Sequence, residues 1–199
     1  MSAASSQTPR TKLASLADLL AIPEEDRFHE ILDGELVRKE LTGAPHSLGQ
    51  HRVSGWMMPF DRKPNGPSRP GGWWILTELT IELSPHQILQ PDIAGYRRER
   101  LPEVPDRYPL KLRPDWVCEV MGGPDARRRD GLQKRRVYAD HGVPHYWLLD
   151  MPLQRLVVLR LTEQGYVEVL AAGRGERVRA EPFEALELPV DVLFGEDED

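Results

Sequence analysis

A chain of 199 residues, 40% hydrophobic and 29% charged, is long enough to bury one real core and short for two, and its composition excludes wholesale disorder. The net charge of -6 excludes a protein that coats nucleic acid through a general positive field, although arginine clusters locally at Arg97, Arg98, Arg100, Arg127, Arg128, Arg129, Arg135 and Arg136. No apolar run approaches the roughly 20 residues that cross a bilayer, and Met1 to Arg10 lacks a continuous apolar segment, so a cytoplasmic protein with no membrane association is expected.

The chain is expected to divide into a flexible N-terminus over 1–12, a single folded domain over 13–194 and an acidic tail over 195–199. Ser15 before Leu16, Leu19 and Leu20 predicts a short capped helix that stops before Pro23. Residues 28–32 and 35–38 predict a hairpin about Asp33-Gly34, a dipeptide that supplies the positive φ angles of a tight turn. His46 to about Phe60 has helical spacing, and Pro59 to Gly72 is a Pro/Gly-rich loop. Trp73 to Leu83 alternates as one half-buried strand.

Gln90 to Tyr96 and Asp115 to Met121 predict further strands, the second almost wholly apolar and therefore central. Arg100 to Pro114 carries too many prolines for regular structure. Asp125 is placed to cap a helix reaching about His141, where Gly142 ends it, and three strands follow over 144–150, 155–161 and 166–171. The order predicts an α/β chain, α+β in detail, built on a mixed sheet. Cys118 reads as a buried small hydrophobe, and Trp73, Trp74, Trp116 and Trp147 as packing residues.

Two carboxylates draw attention. Asp92 follows Pro91 at the start of a strand, and Glu119 interrupts the most apolar strand. A carboxylate in a buried strand loses several kcal/mol of hydration unless it is paired, protonated or bound to a cation. Magnesium accepts a few oxygen ligands and keeps several waters, so Asp92, Glu119 and a backbone carbonyl such as that of Val120 make a plausible partial shell. On the following helix Asp130, Lys134 and Tyr138 share a face, from which Lys134 could orient a nucleophile or stabilise developing charge.

Residues 30–36 (EILDGEL), 90–93 (QPDI), 115–120 (DWVCEV), 134–138 (KRRVY) and 142–148 (GVPHYWL), taken as an ordered set, resemble the Uma-type restriction endonuclease family from about Leu16 to Leu161. The resemblance implies a restriction endonuclease-like PD-(D/E)XK core with flanking helices. It implies Asp92 and Glu119 as metal and catalytic positions, magnesium as cofactor with manganese as a substitute, DNA as substrate and a homodimer. Met121 stands where a Glu-x-Lys lysine would be, and Lys134 matches a lysine migrated to the following helix. Gly122-Gly123-Pro124 replaces the family's Ser-Pro turn.

Strand alternation lets Glu30 be an inward auxiliary carboxylate or equally a solvated hairpin glutamate, while His46 reads rather more readily as an exposed loop histidine than as a phosphate contact. Arg127, Arg128 and Tyr138 complete the candidate nucleic-acid contacts. The leading expectation is a metal-dependent endonuclease acting on DNA. Its rivals are a nuclease-fold binding module that no longer cleaves, attached to a mobile element or defence system, and a hydrolase of some other phosphate ester.

Overall fold

The computed structural model describes residues 12–40, 42–64 and 70–196. The expectations for residues 1–11, for 197–199 and for part of the Pro/Gly-rich loop lie outside the described residues.

Helix α1 (Leu16–Leu20) begins at Ser15, whose backbone N–H and hydroxyl both donate to the Asp18 carboxylate. Strands β1 (His29–Leu32) and β2 (Glu35–Arg38) form the expected hairpin, with φ of +53° at Asp33 and +77° at Gly34. Helix α2 (Ala44–Trp56) starts two residues before the predicted point, with Gly43 at its N-cap and Pro45 in its first turn.

The predicted strand over 73–83 breaks in two, the one over 90–96 begins only at Ile93 with an unpredicted short strand before it, and the interruption positions the site. Trp73–Thr77 is β3 and Ile81–Ser84 is β4; Gln87–Leu89 is β5 and Ile93–Arg97 is β6. Strand β3 pairs with β6 from Trp73↔Arg97 to Thr77↔Ile93, and β4 pairs with β5 through Ile81↔Leu89. Between the two ladders the Glu78 N–H donates to the Asp92 carbonyl, and Glu78 has a φ of +51°. Two neighbouring chains therefore bend together from one sheet into another. The apolar alternation of the sequence runs on through the bend, which is why it reads as one strand, although Trp73 and Ile75 pack in one layer and Leu79, Ile81 and Leu83 in the other.

Strands β7 (Trp116–Met121), β8 (His145–Asp150), β9 (Arg155–Thr162) and β10 (Gly165–Gly173) complete a six-stranded sheet of order β10-β9-β8-β7-β6-β3. The β7–β8 pair is parallel and the remaining neighbours antiparallel, so the expected mixed sheet is present with β7 at its centre. A smaller sheet has the order β2-β1-β5-β4, and β11 (Arg177–Val178) pairs with β12 (Leu188–Pro189). The parallel connection from β7 to β8 needs a crossover. It is made by α3 (Pro124–Arg128), a π-helical turn over Arg129–Lys134 and α4 (Arg135–Asp140). The helix expected to be uniform thus contains one wide turn, and Gly123 rather than Asp125 is its N-cap. Gly142, at φ +73°, follows its end.

Alternation along β7 sends Trp116, Cys118 and Val120 to one face of the large sheet and Val117, Glu119 and Met121 to the other. The first face packs with Trp147, Phe183, Leu188, the α2 residue Val53 and Met57 just past the end of α2. Trp116 meets the Trp147 and Phe183 rings edge-on at 5.3 and 5.1 Å, in the offset geometry that aromatic quadrupoles favour. The second face packs with Leu32, Ile81 and Leu89 of the small sheet and with Val137 and Tyr138 of α4. Glu119 is the carboxylate in that apolar layer. Cys118 and three of the four tryptophans are buried as expected, while Trp74 is half-buried beneath the Arg98 guanidinium.

Gly49 fixes how closely α2 approaches β7: a Cβ there would lie 3.0 Å from Val120 Cγ1, 3.2 Å from Leu149 Cδ2 and 2.6 Å from Met151 Sδ. Gly49→Val is expected to lower stability by about 1–3 kcal/mol through overpacking, measured by urea unfolding. An unchanged midpoint would mean that the helix can move away freely.

Candidate active site

The bend of the paired strands leaves Asp92 just before β6, and continuing the Ile93↔Cys118 register by one step places it beside Glu119. The β7 residue Val120 donates its N–H to Asp92 Oδ2 at 2.6 Å, and His46 Nε2 reaches the same oxygen at 3.1 Å. An ionised carboxylate only accepts, so His46 carries its proton on Nε2. Gln50, one helical turn further along α2, donates to the Asp92 carbonyl at 2.9 Å and to Glu78 at 3.1 Å. Burial by itself would raise the Asp92 carboxyl, but the His46 bond and charge, with Lys134 and the Val120 N–H, outweigh it and hold the group below its ordinary value.

Glu119 is nearly inaccessible and accepts at Oε1 from Lys134 Nζ (3.1 Å) and the Tyr138 hydroxyl (2.9 Å). The Lys134 ammonium also lies 2.9 Å from Glu30 Oε1 and 3.7 Å from Asp130 Oδ1. Glu30 in turn accepts the Gln90 N–H at 2.7 Å, so one carboxylate ties β1 to the bend and to the helix. Burial pushes the Glu119 carboxyl well up, with Asp130, Asp92 and Glu30 adding to the rise and Lys134 opposing it. Burial works against the charged form of Lys134, yet the surrounding carboxylates, Glu119 foremost, hold its ammonium well above the ordinary value. Four buried carboxylates thus face two side-chain cations, Lys134 and Arg129, the latter bonded to Asp130 at 3.0 Å.

That imbalance and the donor chemistry fit a hard divalent cation. The hydrogen bonds engage Asp92 Oδ2 and Glu119 Oε1, and among the described residues Asp92 Oδ1 and Glu119 Oε2 accept none. Strand geometry directs the Val120 carbonyl to the same side as its N–H, beyond the last β6 rung and toward Asp92. Among the described residues no group of three or more His, Cys, Asp or Glu side chains is arranged as a metal cage. Any cation would therefore be held by two carboxylates, a backbone carbonyl and water, the sparse shell magnesium tolerates. Beside these residues opens a cleft of about 220 Å³, lined in part by His46, Val120, Gly122, Gly123, Glu40 and Arg129.

The Uma2 family model, described as "Putative restriction endonuclease", matches residues 16–191. The chain belongs to the Uma2 family. A crystal structure of a "putative nuclease belonging to DUF820" from Anabaena variabilis ATCC 29413 superposes with a TM-score of 0.70 over 90% of this chain and 97% of that chain, at 23% identity. At that identity the likeness shows a shared fold. No curated protein matches.

This Uma2 chain brings Asp92, Glu119, Lys134 and Glu30 together, with Glu30 on the inward side of its strand. Two expectations need correction. His46 is 7% exposed and bonded to Asp92, because α2 begins early enough to turn it inward. Tyr138 is fully buried on Glu119, so it offers no surface for a nucleic-acid contact. Arg127 is folded onto both Asp150 oxygens, and Arg128 is exposed. Asp130 joins the site from the helix face that the sequence pattern marks, and Gln50 and Arg129 join it as well. The four-residue spacing His46–Gln50 is the sequence signal for Gln50, as Asp130–Lys134 is for Asp130.

Lys134→Met would leave Glu30, Glu119 and Asp130 facing one another without their ammonium, a loss of about 3–5 kcal/mol at neutral pH. The folded state then binds protons more tightly than the unfolded chain, so the deficit shrinks as pH falls through the raised carboxyl values. Urea unfolding at about pH 7.5 and about pH 5.5 measures this, and a deficit that does not narrow toward acid would contradict it.

Proposed function

We propose that this protein is a magnesium-dependent endonuclease that hydrolyses phosphodiester bonds in DNA, with manganese as a working substitute. The observation that carries the reading is the convergence of the Lys134 ammonium, delivered from the π turn, with Glu119, Glu30 and Asp92 at the bend between two sheets. Membership of a family described as restriction endonucleases supports the nuclease class.

Asp92 and Glu119 would hold the magnesium, which when bound supplies charge neutralisation at the phosphate and acidifies a bound water. The protein's own groups divide the remaining work. His46 and the Val120 N–H occupy Asp92 Oδ2 and fix the direction of Oδ1. Tyr138 and Lys134 do the same at Glu119 Oε1, which leaves Oε2 without a donor among the described residues. Lys134 keeps a positive charge beside the scissile phosphate in a layer that admits little solvent, where the interaction is strengthened by the low local dielectric. Glu30 and Asp130 keep that ammonium in place. A cytoplasmic location and a homodimer that presents two such sites to the two strands complete the proposal.

The second reading is a nuclease-fold module that binds without cutting, favoured by Met121 at the short-motif lysine position and by the absence of a three-residue acidic or histidine cage among the described residues. Plasmid nicking in magnesium or manganese separates the two. Asp92→Asn and Glu119→Gln are each expected to lower the nicking rate by a factor on the order of 10² or more. Wild-type protein without activity in either metal would leave only the binding module. Independently, His46→Ala is expected to weaken magnesium binding by about 10–100-fold, measured by calorimetry, because an outer partner of a ligating carboxylate is lost.

A further inference from the structure

The cleft beside the carboxylates carries a feature that the metal site does not use. Among its described lining residues Arg129 is the only lysine or arginine, and its guanidinium is spent unevenly. Nε and one terminal nitrogen donate to the two Asp130 oxygens at 3.0 and 3.3 Å, which fixes the plane of the fork. The other terminal nitrogen makes no hydrogen bond among the described residues. It only approaches Glu40 Oε1, at 3.5 Å.

Glu40 follows β2, its side chain is 51% exposed, and no hydrogen bond holds it among the described residues. An ion pair of that length and exposure is weak and readily exchanged. Glu40 thus presents an anionic oxygen to an oriented arginine at the cleft, close to where the proposed reaction would occur. Asp125 also lines the cleft, and the rest of it has room for an anion of greater bulk. A Cβ added at Gly122 or at Gly123 would meet nothing within 4 Å, so this side is open space. The N-terminus of the 13-residue α2, which no side chain caps, adds its positive end on the other side.

The geometry points to Arg129 as the residue that receives a backbone phosphate of the nucleic acid, with Glu40 standing in for that phosphate until substrate displaces it. This rests on the nuclease reading for the identity of the ligand. Asp130 acts through Arg129 as a positioning residue for the subsite, and through Lys134 for the carboxylates. The exchange of Glu40 for a phosphate oxygen gives Arg129 a charge-assisted hydrogen bond in place of the longer contact.

The test is fluorescence anisotropy of a labelled duplex oligonucleotide in EDTA, so that binding is read without cleavage. Glu40→Gln is expected to tighten binding at least about threefold, more than the exposed control Glu163→Gln, which removes the same charge elsewhere. Arg129→Gln is expected to weaken binding about tenfold or more and to reduce the slope of log affinity on log salt by about one. In the double variant the gain from Glu40→Gln should vanish, because Glu40 acts only through Arg129. If Arg129→Gln does not fold, Glu40→Gln and its control still decide the matter, since Glu40 is held by nothing else.

Equal effects of Glu40→Gln and Glu163→Gln would overturn the proposal, as would a gain that survives in the double variant or wild-type protein that binds no duplex. The nuclease reading fails separately. The expected binding pattern in a protein that nicks no plasmid in either metal retains the phosphate subsite and discards catalysis, whereas nicking without that pattern does the reverse.

Discussion

The Lys134 ammonium is the point on which the assembly turns. Burying it costs several kcal/mol of hydration, and so does burying Glu119 or Glu30, so none of the three has a stable place in the apolar layer without the others. They come from β1, β7 and the π turn, and each of those elements reaches the centre only when the small sheet, the large sheet and the crossover helix are docked together. A wholly apolar layer of the same shape could be as stable or more so. What the charged arrangement enforces is mutual position: sliding the helix by one residue would take the ammonium from its carboxylates and leave it in an apolar layer.

The π turn is part of the same constraint. Asp130 and Lys134 are both almost fully buried and both face the carboxylates, while Leu132 between them is 66% exposed. Four positions apart, they stay on one side through the wide turn, which carries Leu132 outside. Wide turns of this kind recur at functional sites for the geometric reason seen here, a local change of phase in a helix whose two ends are held by packing. Those ends are Ala126 on one side and Val137 and Tyr138 on the other, all in the layer that surrounds the site. Tyr146 donates to the Asp130 carbonyl at 2.9 Å, supplying a partner inside the widened turn.

Much of this was legible from local chemistry. The Asp33-Gly34 hairpin, the central position of β7, the stop at Gly142 and the pairing of Asp92 with Glu119 all follow from turn residues, alternation or the cost of a buried carboxylate. Other features were not, for one shared reason. Period-two alternation says which way side chains point and not which sheet a strand belongs to, so Glu78 and the Pro91-Asp92 step were read through although the chain changes sheets there. His46 was given an exposed place because its partner lies 46 positions away and on another element. The four-residue step from Asp130 to Lys134 was visible, but the carboxylate 104 positions earlier that completes the pair, Glu30, could be placed only by the fold.

Met121 shows why a missing motif position need not mean a missing group. It lies on the same face of β7 as Glu119 and is buried in the layer with Ala126 and Leu148, so a lysine there would send its ammonium into the same small volume that Lys134 now enters from the helix. Lys134 Nζ already fills the place between Glu30 and Glu119, 2.9 Å from one and 3.1 Å from the other. The strand and the helix are alternative routes to that point, and occupying both would crowd two ammonium groups against each other at a cost of several kcal/mol in a poorly solvated site. A methionine at 121 is therefore the expected companion of a lysine at 134. The two positions form one choice imposed by the volume and charge of a single site.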